Sequence, residues 1–163
     1  MKVAIGGLVF GDEELCPYAG GWFHGWLLHA CKDPCHRAAV GYDTKSKLLP
    51  THPEYLMARR NDHLSLNMID PPIPLFKAES FLGALDFIDE AVRAGQPVAC
   101  HCNKGASRAP SIALLWLAKR AKKIPDDSYA TARAVFETML PPGTYVSGKG
   151  IETFLTEHWR AIR

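Results

Sequence analysis

The residues whose types and spacing could do chemistry lie at positions 101–108, which read His-Cys-Asn-Lys-Gly-Ala-Ser-Arg. The apolar run 97–100 before them predicts a buried strand, and the apolar stretch after them, with a proline near its start, predicts a helix. A loop before a helix start presents backbone N–H groups to an oxyanion, and Gly105 lets that loop curl closely around it. Arg108 can hold two oxygens of such an anion, and the same positive field favours the nucleophilic thiolate of Cys102. The segment therefore predicts a site where a phosphate-like anion meets an ionised sulfur.

The pattern His-Cys-x-x-Gly-x-x-Arg resembles the signature loop of the cysteine-based protein tyrosine phosphatases, and it is most similar to the dual-specificity branch. The resemblance implies that Cys102 is the nucleophile, that Arg108 binds the phosphoryl oxygens, and that a cysteinyl-phosphate forms without a metal or another cofactor. It also implies that the residue before the nucleophile positions the loop. The expected substrate-binding residues are His101, Asn103, Lys104, Gly105, Ala106 and Ser107.

A second catalytic residue is expected in a proline-rich loop. The alternating segment 63–69 predicts a strand that delivers Asp70 into Pro71-Pro72-Ile73-Pro74, where the following proline holds the backbone extended. Asp70 precedes Cys102 by 32 positions (102 − 70 = 32). In dual-specificity phosphatases a loop aspartate at about this offset is the general acid, so the resemblance implies this role for Asp70. The alternative is an ordinary turn-forming aspartate before proline.

One position departs from the family pattern. These phosphatases usually carry Ser or Thr after the signature Arg, where the hydroxyl stabilises the departing cysteine in the second step, and here the residue is Ala109. Ser107 and Ser111 are the hydroxyls nearest to it in the sequence. We therefore expect slow hydrolysis of the phosphoenzyme, or a module that binds phosphate with little turnover.

Hydrophobic periodicity and turn signals predict an α/β protein with a small central, mostly parallel sheet flanked by helices and with a helical C-terminal half. The whole chain, 1–163, is expected to form a single phosphatase-like domain. In such folds ligands bind at the carboxyl ends of parallel strands, which is where the signature loop would lie. The predicted strands are 2–10, 26–31, 63–69 and 97–100, and the predicted helices are 51–60, 77–94, 108–122, 126–140 and 147–162.

Composition favours an ordinary globular protein, with 47% hydrophobic and 22% charged residues. The formal net charge of +2 gives no argument for a nucleic-acid partner, and the short apolar start of the chain does not suggest a membrane segment. Five cysteines form no disulfide-like framework, and a nucleophilic cysteine requires a reducing compartment. We expect a cytoplasmic protein, with the oligomeric state open.

A metal site has to be considered where His29, Cys31, Cys35 and His36 follow one another closely. Their spacing matches no ordinary zinc pattern, and no second Cys/His cluster follows at a usual interval. We therefore expect no metal ligand and no cofactor, and these residues are assigned to the core and to a loop. The reason for their clustering stays open.

The expected partner is a phosphorylated protein or peptide, with phosphotyrosine favoured and phosphoserine or phosphothreonine as further substrates. Lys104 within the loop keeps open a non-protein substrate with more charge, such as a phosphoinositide or an RNA 5′-phosphate. Sulfur transfer of the rhodanese type and arsenate reduction also use a Cys loop before a helix. The six-residue step from Cys102 to Arg108 and the proline-held Asp70 argue against sulfur transfer, and arsenate reduction usually needs further relay cysteines.

Overall fold

The centre of the molecule is a six-stranded sheet with the strand order β1-β2-β6-β3-β5-β4. The computed structural model describes residues 2–163. The four central strands, β2, β6, β3 and β5, run parallel, and the edge strands β1 and β4 pair antiparallel with their neighbours. The strands are β1 (Lys2–Ile5), β2 (Leu8–Gly11), β3 (Trp26–His29), β4 (Met57–Arg60), β5 (His63–Leu66) and β6 (Val98–His101).

Helices make up most of the second half of the chain, which confirms the predicted fold class. The α-helices of the described chain are α1 (Arg37–Val40), α2 (Ala78–Arg93), α3 (Arg108–Lys119), α4 (Tyr129–Thr138) and α5 (Lys149–His158). Every residue of α3 is buried, as expected for a central helix that is apolar almost all round. Within residues 2–163, no helix combines the length and the apolar character needed to cross a membrane.

Two of the predicted elements are wrong. Residues 2–10 are not one strand but the hairpin β1–β2, which turns at Gly6 and Gly7, both with positive φ. Residues 51–60 are not a helix: the chain makes turns up to residue 56 and then forms the edge strand β4. Pairing of β4 with β5 there outweighs the local helix signals, because propensity is weak against tertiary hydrogen bonding.

The two faces of the sheet are covered very differently. On one face, here called the helix face, side chains of α2 to α5 enclose a large apolar core that includes Phe10, Leu28 and Cys100. On the other face, here called the second face, the buried apolar clusters are small. Leu15, Leu27 and Ala99 form one, and Cys16, Cys31 and Cys35 form another.

Side chains alternate between the faces along a strand, so neighbours in β6 point to opposite sides. Cys100 and Cys102 belong to the helix-face core, whereas Ala99 lies on the second face. Because of this alternation, Cys102 lies on the helix face and the preceding residue, His101, points to the second face.

Candidate active site

The signature loop, residues 102–107, leaves the carboxyl end of β6 and curls into the start of α3. Its backbone rests on the end of β2, where the Cys102 N–H donates to the Gly11 carbonyl at 3.2 Å. Gly105 has a φ of +69°, and a Cβ there would lie 2.7 Å from the backbone N of Asp12. Only glycine fits this position, because both the left-handed conformation and the close approach exclude a side chain.

Cys102 lies at the bottom of this loop and is 2% exposed. The N–H of Ala109, in the first turn of α3, donates to its Sγ at 3.5 Å. A sulfur at a helix N-terminus is favoured in its anionic form by the helix dipole and the free amide groups. The first turn of α3 therefore presents a backbone donor to this sulfur.

Arg108 connects the loop to two central strands. Its Nη1 donates to the carbonyls of Ala30 at 3.0 Å and Met68 at 2.9 Å, just beyond the ends of β3 and β5. Its Nη2 donates to Asn103 Oδ1 at 2.9 Å. The Nε of Arg108 is buried and has no hydrogen-bond partner among residues 2–163. A buried N–H without a partner is costly, and a phosphoryl oxygen would satisfy it.

The other predicted loop residues hold the cradle in shape or face outward. Asn103 also donates from Nδ2 to the carbonyl of Asp33 at 3.0 Å, so it ties the loop to the segment after β3. On the opposite side, the Ala106 carbonyl accepts from Val146 at 2.9 Å and Ser107 Oγ accepts from the Gly148 N–H at 2.8 Å. Lys104 is exposed at the rim.

Asp70 lies on the same rim and is exposed. Its carboxylate rests against Gly148, where any Cβ would overlap it. The next part of its loop is pinned to the start of α5, since a side chain at Gly150 would overlap the carbonyls of Pro71 and Ile73. Because Gly148 also donates to Ser107, the last helix places the aspartate loop beside the signature loop.

No hydroxyl replaces the one missing at Ala109. Ser107 Oγ is bonded to Gly148, and Ser111 Oγ shares a hydrogen bond of 2.9 Å with the hydroxyl of Tyr145. Tyr145 in turn bonds to Tyr129 at 2.8 Å. Across the described part of the chain, the structure shows no hydroxyl hydrogen-bonded to Cys102 Sγ. The departure seen in the sequence is therefore uncompensated.

His101 does not face the loop. Its side chain is on the second face, and its Nε2 lies 2.7 Å from Nδ1 of His29. His36 is not part of this arrangement, because its two nitrogens bond to the Tyr42 hydroxyl and the Glu54 carbonyl, both at 2.8 Å. Cys16 lies beside His29 instead, with its Sγ 3.5 Å from Nδ1. No local spacing in the sequence could have shown that Cys16 and His101 meet, since they are far apart along the chain.

Comparison with solved structures defines the class of fold. The human tyrosine phosphatase-like serine/threonine/tyrosine-interacting protein matches with a TM-score of 0.63 at 16% identity, covering 99% of this chain and 96% of that chain. Human DUSP28 matches at 0.59 and 17%, covering 98% and 93%. The Yvh1 phosphatase domain from Chaetomium thermophilum matches at 0.61 and 16%, covering 98% and 94%.

The chain therefore has the fold of tyrosine and dual-specificity phosphatases along its whole length, which confirms the resemblance at the level of fold. No family model matches the sequence, and no curated protein matches it.

Replacing Asn103 by Ala should weaken the binding of inorganic phosphate. The change removes the acceptor that orients Arg108 and the bond to the segment after β3. A hydrogen bond to a charged group contributes about 1.5–3 kcal/mol, so the dissociation constant should rise about 10- to 100-fold. Isothermal titration calorimetry measures it. Asn67→Ala is the matched control, because its amide donates to the Tyr55 carbonyl outside the loop. Equal weakening in both variants would contradict the assignment.

Proposed function

We propose that the chain is a phosphoric monoester hydrolase that dephosphorylates phosphotyrosine, with phosphoserine and phosphothreonine as further substrates. The observation that carries the proposal is that one loop-to-helix segment places Cys102 Sγ at the start of α3 and leaves the buried Nε of Arg108 without a partner. One group is a nucleophile in a positive field, and the other is a donor that requires an anion. A phosphoryl group between them would satisfy both.

The reaction proceeds in two displacements. Cys102 Sγ attacks phosphorus in line, the bond from phosphorus to the ester oxygen breaks, and Asp70 gives its proton to the departing oxygen. Arg108 and the amide groups of residues 103–108 hold the three equatorial oxygens while charge spreads over them. Asp70, now ionised, takes a proton from water as that water attacks phosphorus. The phosphorus–sulfur bond breaks, and inorganic phosphate leaves.

The substrate class follows from the access to the site. The rim carries exposed Lys104 and Asp70, and the sequence has no long insertion for recognising phosphotyrosine alone. Phosphorylated side chains of different lengths, carried by a protein or a peptide, can reach such a rim. We place the protein in the cytoplasm, because a nucleophilic thiol among five free cysteines requires reducing conditions.

Cys102→Ala should abolish hydrolysis of p-nitrophenyl phosphate and of phosphotyrosyl peptides. The matched control is Cys100→Ala, which removes a fully buried thiol from the same strand without touching the loop. Activity should persist in the control. Equal activity in the wild type and Cys102→Ala would rule out the cysteinyl-phosphate route. A parallel panel compares phosphopeptides with a phosphoinositide and an RNA 5′-phosphate. If one of the latter two were hydrolysed faster than any phosphopeptide, its class would be assigned as the substrate in place of a protein.

Asp70→Asn should lower kcat by about 10²- to 10⁴-fold on substrates with a poor leaving group, because general acid catalysis contributes that much. The loss should be smaller for p-nitrophenyl phosphate, whose leaving group needs little protonation. Asp86→Asn changes an exposed carboxylate on α2 and is the control. If Asp70→Asn slowed both kinds of substrate to the same extent, its role would be structural rather than acid catalysis.

A second candidate function, a module that binds phosphate with little turnover, is favoured by one observation. Ala109 is completely buried beside Cys102 and offers only its N–H to the sulfur. Without a hydroxyl to stabilise the thiolate as it leaves, the second displacement is expected to be the slow one.

Ala109→Ser should therefore raise the steady-state rate. A hydrogen bond to a charged group contributes about 1.5 kcal/mol, which corresponds to about a tenfold acceleration of phosphoenzyme hydrolysis. Rapid-quench kinetics should show a burst of product in the wild type and a smaller burst in the variant. A wild type with no burst would mean that the first displacement limits the rate, against this assignment.

A further inference from the structure

Four buried side chains on the second face converge on one point: Cys16, His29, Cys35 and His101. Each offers one ligand atom, and the four atoms all lie within 4.8 Å of one another. We call this group the thiol–imidazole cluster. It is separate from the signature loop, and nothing in the proposed reaction uses it.

Three of the separations within the cluster are close to those of a tetrahedral site. Cys16 Sγ lies 3.5 Å from both His29 Nδ1 and Cys35 Sγ, and Cys35 Sγ lies 3.7 Å from His101 Nε2. With Zn–S bonds of about 2.3 Å and Zn–N bonds of about 2.0 Å, the edges of a tetrahedron are about 3.3–3.8 Å long. The 2.7 Å separation of His29 Nδ1 and His101 Nε2 is shorter, and it would widen as the shared proton left.

One histidine and one cysteine of the cluster have outer contacts of the kind that support metal ligands, whereas Nδ1 of His101 is buried and has no hydrogen-bond partner among residues 2–163. His29 uses its second nitrogen, Nε2, to bond His63 Nδ1 at 2.8 Å, and such outer contacts orient ligating histidines. Cys31 Sγ lies 2.8 Å from Cys35 Sγ and can donate a hydrogen bond to a bound thiolate.

The position of the cluster shows what a cation would do. The ligands come from the turn before β3, from β3 itself, from the turn after it and from the end of β6. These turns cover the second face, where the buried apolar clusters are small. A cross-link of four ligands would hold irregular segments that have little hydrophobic core of their own.

We propose that the thiol–imidazole cluster binds one Zn²⁺ as a structural site. Two thiolates and two imidazoles in tetrahedral arrangement select zinc, and four protein ligands leave no open position for catalysis. This assignment revises the expectation from local spacing, which considered His36 and Cys31 as ligands. It does not rest on the proposed phosphatase reaction, and its test uses no measurement of activity.

The test is the zinc content of the full chain. Purified wild-type protein equilibrated with Zn²⁺ and then desalted should hold one zinc per chain by plasma mass spectrometry. Cys16→Ala should bind zinc at least about 100-fold more weakly, and Cys100→Ala, which removes a buried thiol outside the cluster, should keep one zinc. Co²⁺ in place of Zn²⁺ should give the intense visible bands of a tetrahedral site and thiolate charge-transfer bands.

A second measurement keeps the proposal testable if Cys16→Ala folds poorly. A strong chelator should lower the Tm of the wild type and of Cys100→Ala, and added zinc should restore it. The proposal is overturned by a wild type that retains no zinc, by a Tm unchanged by the chelator, or by equal zinc loss in Cys16→Ala and Cys100→Ala. A disulfide joining Cys31 and Cys35 in protein purified under reducing conditions would also overturn it.

Discussion

The site depends on one buried guanidinium. Arg108 is only 9% exposed, and the free energy of placing a charge there is recovered through the carbonyls of Ala30 and Met68 and the amide of Asn103. These three acceptors come from the ends of two central strands and from the loop itself. The arginine therefore fixes the loop relative to the sheet, and its buried Nε is left without a partner among residues 2–163. The hydrogen bonds that hold Arg108 against the strand ends therefore also shape the anion site.

Strand alternation separates two kinds of chemistry at adjacent positions. Cys102 continues the helix-face side of β6 and meets the start of α3, whereas His101 points to the second face and meets His29. A shift of register by one residue would exchange them. The pairing of β6 with both β2 and β3 prevents such a shift, because it holds the strand from both sides.

Much of the fold followed from sequence, for reasons that can be stated residue by residue. The strand–loop–helix around Cys102 and the long amphipathic helix α2 each carry a complete local signal, and both are present. The segment 51–60 was misassigned because its strand exists only through pairing with β5. The contacts of His29 have the same origin: Cys16 in a turn and His63 and His101 on neighbouring strands reach it only in the folded chain, and no spacing along the chain records such contacts.

The segment that leads into α5 contributes to the rim through its backbone. The N–H groups of Val146 and Gly148 hold Ala106 and Ser107, and Gly148 supports the carboxylate of Asp70. A nascent polypeptide that ends before residue 146 carries every reactive group but lacks the supports that align them. During synthesis, the nucleophile and its acid can therefore be brought together only after the segment 146–148 has been added.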